Sequence, residues 1–255
     1  MNEVLLFLIG IVGGVVNTLA GGGSFIVFPA LLAAGVPPVL ANASNTYAAL
    51  PGYMAGAFGL RAALATERRR LPLYTIIATI FGLAGAELLL HVSNAQFAQV
   101  VPWLLLFAVV LFAFGERINR FIASRASTGR GAKAAGTILL GLLLAAVSIY
   151  GGFFNAGLGI LLLAYLVLSG ITNIHAANAL KLWISSVIAL IAVIRFAIAG
   201  SIDWYHGTIA LAGVVTGAYV AARLAHRVPT PLIRALVIGC GLGLTLYFFW
   251  KTYLG

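Results

Sequence analysis

The chain has 255 residues, 62% hydrophobic and 8% charged, with a formal net charge of +10 and a mean hydropathy of +1.10. A soluble protein carries about 25% charged residues, so this chain cannot cover its own surface with polar groups. That excludes a soluble globular domain and makes membrane lipid its solvent. A transmembrane barrel is excluded too, because long apolar runs replace alternating strands of about ten residues.

A helical span needs about 20 apolar residues. The first apolar region, 4–35, is interrupted at Gly21-Gly22-Gly23-Ser24. The piece from Phe25 to Ala34 is about 15 Å long as a helix, too short to cross alone. The region therefore reads as two helical pieces meeting at a break, as a re-entrant hairpin or a full crossing. Spans follow at 41–60, 72–91 and 97–115, then a basic stretch at 117–134. Region 135–170 is again apolar and again broken, at Asn155-Ala156-Gly157-Leu158-Gly159, and spans follow at 174–199, 207–222 and 235–252. The expected architecture is an all-α polytopic helical membrane protein. It comprises a first repeat over 1–116, a linker over 117–134 and a second repeat over 135–255. No basic residue precedes Val4, so a cleaved secretory signal is not expected. The single Cys240 allows neither an internal disulfide nor a multi-cysteine metal site.

Twelve of the fifteen Lys and Arg residues fall in three stretches, 61–70, 117–133 and 223–234, while connections 92–96 and 200–206 have none. Short cationic loops stay cytoplasmic, so these three mark the inner face, and the excess charge needs no nucleic-acid partner. The two broken regions align at an offset of 135 residues at the glycines, Gly35 with Gly170, and 136 at the asparagines, Asn42 with Asn178. Loop 61–70 then matches the uncharged-to-acidic loop 200–206 on the opposite face, so the two repeats have inverted topology. Inverted repeats with interrupted helices place a substrate site at the midplane, reached by alternating access.

Polar residues cluster after each break: Asn42, Ser44, Asn45 and Thr46 in the first half, and Thr172, Asn173, His175, Asn178 and Lys181 in the second. Asn45 follows Asn42 by three residues, as Lys181 follows Asn178, so each pair shares a helix face. An intramembrane lysine is a functional hypothesis by default. Amide donors, freed backbone N–H groups and helix N-termini also favour negative charge. The clusters hold no acid, and their small residues suit a small anion. The bland alternative has the asparagines bonding between helices and Lys181 snorkelling to the cytoplasmic face. Elsewhere, Arg195 snorkels or meets Asp203, Glu87 and His91 form a hydrogen-bonded pair, and His206 is interfacial. Gly10/Gly14, Gly52/Gly56, Gly213/Gly217 and Gly239/Gly243 fit small-residue helix contacts. Such faces permit a homodimer without demanding one.

Gly21-Gly22-Gly23-Ser24, Pro29, Leu31, Gly35, Pro37 and Ala41-Asn42 with Ser44 resemble the first signature of the TauE/SafE sulfite exporter family, also called the 4-toluene sulfonate uptake permease family. Gly151-Gly152, Gly157-Leu158-Gly159, Gly170 and Ala177-Asn178-Ala179-Leu180-Lys181 resemble its second. The resemblance implies a bacterial inner-membrane secondary transporter of sulfite, thiosulfate or an organosulfonate such as sulfoacetate, without cofactor or metal. Carried onto these positions, with Thr46 added from the polar cluster, it puts the substrate at Gly22, Gly23, Ser24, Asn42, Asn45, Thr46, Asn155, Gly157, Asn178 and Lys181. Asn155 departs from the pattern, where an aromatic residue or glycine is expected. An anion channel is the alternative. A membrane-embedded enzyme fits less well, since neither HExxH nor Gly-x-Ser-x-Gly occurs.

Overall fold

A computed structural model of the chain describes residues 1–125, 133–224 and 230–253, without the side chains of 19–20, 111–112, 115–125, 133–137, 222–224, 230–234, 236–237 and 240. The side chains of Arg117, Arg120, Arg125, Arg130, Lys133, Arg223, Arg227, Arg234 and Cys240 thus lie outside the described residues. Those described form helices and no strand: α1 (Glu3–Ala20), α2 (Ser24–Ala33), α3 (Pro38–Gly59), α4 (Arg61–Thr66), α5 (Leu71–Leu90), α6 (Asn94–Arg125), α7 (Lys133–Phe153), α8 (Leu158–Leu168), α9 (Ile174–Ile198), α10 (Trp204–Leu224) and α11 (Thr230–Tyr253). Among the described residues, α5 and α9 are each long and apolar enough to cross a bilayer. Two extents differ from the sequence reading. Residues 61–66 are a short helix within the expected loop, and α6 runs ten residues beyond 115, because no Gly or Pro follows Gly115 to stop it.

Each break is a helix end followed by a short helix. Gly21 ends α1 with φ +76°, its N–H bonded to the Asn17 carbonyl. Gly157 opens α8 with φ +80°. Such angles are costly for any residue with a Cβ, which is why glycine stands there. The short helices then end alike. Val36 N donates to Leu31 O at 3.1 Å and Ile171 N to Leu166 O at 3.0 Å, with Gly35 and Gly170 at positive φ between.

The helices pack in matching pairs. α1 lies along α10, and α7 lies along α5. Both contacts are backbone-close at glycine. A Cβ on Gly14 would strike the Val214 carbonyl, and one on Gly217 the Ile11 carbonyl. Likewise a Cβ on Gly152 would strike the Gly82 carbonyl, and one on Gly85 the Ile149 carbonyl. Small residues let helices approach where lipid gives no hydrophobic drive. The expected Gly10/Gly14 and Gly213/Gly217 contacts therefore exist, whereas a Cβ added at Gly239 or Gly243 would meet no atom of another helix within 4 Å among the described residues. α3 packs on α9 between the two pairs, and α6 on α11.

Hydrogen bonds define the two ends of the bundle. At one, Asn94 Oδ1 accepts Val39 N at 3.0 Å, Ser44 Oγ accepts Asp203 N at 2.9 Å, and Tyr205 donates to Glu3 at 2.6 Å. At the other, Arg70 donates to Ser169 O at 3.2 Å. So α2 finishes where α5 finishes, and α8 finishes where α5 begins. The two short helices run in opposite senses. At about 1.5 Å per residue, α2 and α8 each cover about half of a 30 Å hydrocarbon layer, so both breaks lie deep in the bundle.

Candidate functional site

The two breaks share a core. Phe28 of α2 packs edge-on to Phe154 at the second break, ring centroids 5.7 Å apart. Asn42 of α3 donates from Nδ2 to Phe153 O at 2.8 Å, and Tyr53, lower on the same helix, donates to Asn155 Oδ1 at 3.3 Å. Asn42 and Asn155 are almost wholly buried, and each keeps one buried polar atom without a partner among the described residues, Asn42 Oδ1 and Asn155 Nδ2. Buried polar atoms are rarely left so.

At the first break, Gly23, Ser24 and Asn45 line one small cavity with Gly13, Asn17, Val27, Ala48, Ala49 and Val214. Its volume is about 10 Å³, room for a single water at most. Ser24 is the first residue of α2, so the positive dipole end of that helix lies at the cavity. Gly23 is required by contact: a Cβ there would meet the Gly13 carbonyl and lie 2.6 Å from Asn17 Cβ. Asn17 was missed from sequence. Its signal was available as the only amide in the apolar run before the first glycines, a polar residue without an interfacial excuse.

At the second break the same relation recurs with different chemistry. Gly159, in the first turn of α8, takes the place of Ser24, and Lys181 takes that of Asn45. A Cβ on Gly159 would lie 3.5 Å from Lys181 Cδ, so the lysine stem crosses the first turn of α8. Lys181 Nζ donates to Asn178 Oδ1 at 3.1 Å. Among the described residues no carboxylate pairs with it.

The other residues singled out from sequence have these partners. Thr46 Oγ1 donates back to Asn42 O at 3.1 Å, within its own helix. Gly22 supplies the carbonyl that accepts Phe25 N, and Gly157 the one that accepts Ile160 N. Asn173 caps α9, accepting His175 N and Ala176 N. Arg195 does not meet Asp203: it grips Glu87 of α5 with both nitrogens, at 2.6 and 3.0 Å, because α5 rather than the 199–203 loop lies against its helix face. Asp203 instead holds His206. Burial acts to raise its pKa, but the His206 backbone N–H and ring outweigh it and hold the carboxyl below the ordinary carboxylate range.

The family model for the sulfite exporter TauE/SafE matches residues 6–248. The chain therefore belongs to the TauE/SafE family. It is 29% identical to a "Probable membrane transporter protein" of Haemophilus influenzae over 237 residues, covering 92% of this chain and 89% of the relative. It is 27% identical to the "Probable membrane transporter protein YfcA" of Escherichia coli K12 over 240 residues, covering 92% and 84%. A Sinorhizobium relative, "Probable membrane transporter protein ORF9", is 26% identical over 251 residues, covering 94% and 90%. No solved structure matches the chain at a significant level. The chain is accordingly a membrane protein and a membrane transporter.

Proposed function

We propose that this transporter carries a small sulfur-containing anion, such as sulfite, thiosulfate or an organosulfonate, outward across a bacterial inner membrane. Two inverted repeats, 1–116 and 135–255, would present their breaks to one substrate, with Gly22, Gly23, Ser24, Asn42, Asn45, Thr46, Asn155, Gly157, Asn178 and Lys181 around it and Asn17 added. The observation that carries the reading is Lys181. A deep ammonium group beside the N-terminal turn of α8, bonded to an amide and to no carboxylate, is an uncompensated positive site. An anion compensates it, aided by the helix end. The first break adds hydroxyl and amide groups without further charge, which favours a monoanion or a divalent anion with one shielded charge. Export needs no coupling ion in principle, since an inside-negative potential drives an anion outward by about 2.3 kcal/mol per charge per 100 mV.

The 10 Å³ cavity at the first break admits no such anion as it stands. The loaded state therefore needs the helices that wall the cavity, α1, α2, α3 and α10, to move apart, as a carrier's do and a fixed channel's do not. That favours carrier over channel. The test is thermal shift of detergent-purified protein with sulfite, thiosulfate, sulfoacetate, sulfate and taurine, followed by counterflow in vesicles. Stabilisation by one or more of the sulfur oxyanions is expected, lost in both Asn45→Ala and Asn17→Ala. Equal shifts in wild type and both variants would place the anion elsewhere.

A further inference from the structure

At the 136-residue offset, Gly52 of α3 matches Ile188 of α9, Gly56 matches Ala192, and Gly59 matches Arg195. The helix pairs α3–α10 and α5–α9 hold corresponding places, yet they differ in closure. α3 and α10 are joined towards the Asp203 end. Ser44 Oγ accepts Asp203 N at 2.9 Å, and Tyr47 sets its ring edge-on to Trp204, centroids 5.2 Å apart. From Pro51 onward they part, leaving a cleft of about 450 Å³ lined by Thr18, Gly52, Ala55, Gly56, Val215 and Ala218 among others. Asn45, Ala48, Ala49 and Gly52 share one face of α3, so that face runs from the cavity at the first break to the cleft. Asn17 Nδ2 lies 3.7 Å from where a Gly52 Cβ would be.

α5 and α9 are joined at three heights instead. Trp183 Nε1 donates to Thr75 Oγ1 at 2.9 Å. Ile188 fills the middle, packed 3.3–3.5 Å from the positions of Cβ atoms added at Gly82 and Gly151. Arg195 binds both Glu87 oxygens above it, with Nε to Oε2 at 2.6 Å. The α3–α10 seam parts into a cleft at Gly52, whereas the matching α5–α9 seam is filled by Ile188 and tied by an ion pair. Gly59, opposite in the scheme to Arg195, has no side chain to make such a tie.

We propose that Glu87–Arg195 is the latch of the α5–α9 route: it holds that route closed while the cleft at Gly52 gives access from the Arg61–Arg70 side, and it must release for the breaks to face the Asp203 side. The inference rests on the alternating-access reading above. Both partners sit on helices of different repeats, so the pair breaks when one repeat moves against the other. A pair that were only a surface ornament would have no reason to bridge that particular seam, and bidentate geometry makes the tie directional.

The experiment places one cysteine at Ala192, buried one turn from Ile188, in a Cys240→Ala background. In oriented vesicles a membrane-impermeant thiol reagent is applied from the Asp203 side, with no substrate present. Glu87→Gln should raise the labelling rate roughly tenfold, Arg195→Gln should do the same, and the swap Glu87→Arg with Arg195→Glu should restore the slow rate. A cysteine at Ser201, at the same end but off the seam, should label equally in all, showing that each variant is inserted and folded. Measurable but equal rates at 192 in parent and Glu87→Gln would overturn the latch and leave alternating access standing. Silence at 192 in every variant would overturn both.

Discussion

At the level of single residues, Asn45 and Lys181 match at the 136-residue offset but differ in chemistry. Asn45 can only donate and accept through an amide, whereas Lys181 brings an amine on a flexible stem held across α8. Lys181→Ala is expected to lower anion affinity at least about tenfold, the scale of one charge-assisted hydrogen bond. Lys181→Arg should rescue it only in part, because a planar fork cannot take the same path over Gly159. Binding titrations on purified protein check both, and unchanged affinity in Lys181→Ala would leave the lysine a purely structural role. The residue types were legible before any coordinates: amides, a lysine and glycines in apolar runs. Their partners were not. That Asn42 reaches Phe153 O, 111 residues away, and that Arg195 chooses Glu87 over Asp203, follows from which helices lie side by side.

Among the elements, two kinds of glycine must be separated. Gly35 and Gly170 sit at φ +91° and +85° with open space where a Cβ would go. Alanine there should cost about 1–2 kcal/mol each in backbone strain alone, seen as a modest fall in unfolding temperature with transport intact. Gly14 and Gly152 have ordinary backbone but press on a neighbouring carbonyl. Alanine there must push α1 from α10 or α7 from α5, an overpacking cost of about 1–3 kcal/mol. It should impair transport as well, because those seams hold the repeats together. If the first pair proves the more damaging to flux, the assignment of roles is wrong. The sequence showed Gly10/Gly14 and Gly213/Gly217 as patterns without showing that they face one another. Gly239/Gly243 show the same pattern, although a Cβ added at either would meet no other helix among the described residues. Spacing records a helix face, and only packing tells what that face meets.

For the whole molecule, the opposite senses of α2 and α8 fit the charge asymmetry of the loops. A cysteine at Thr66 should react with an impermeant reagent only from the cytoplasm, and one at Ser201 only from outside. Reversed labelling would turn the export argument round, and labelling of both from one side would end the inverted scheme. The sequence alone determined the solvent, the helical class, the family and the two places where the chain must break. Those follow from composition and from glycine's backbone, which act locally. Only tertiary structure decided that α1 pairs with α10 and α7 with α5 across the repeats, that Asn17 joins Ser24 and Asn45, and that one seam lies open while its counterpart is shut. These are relations between separate segments of the chain. They are set by which small-residue faces fit together, and no local pattern in the chain encodes that choice.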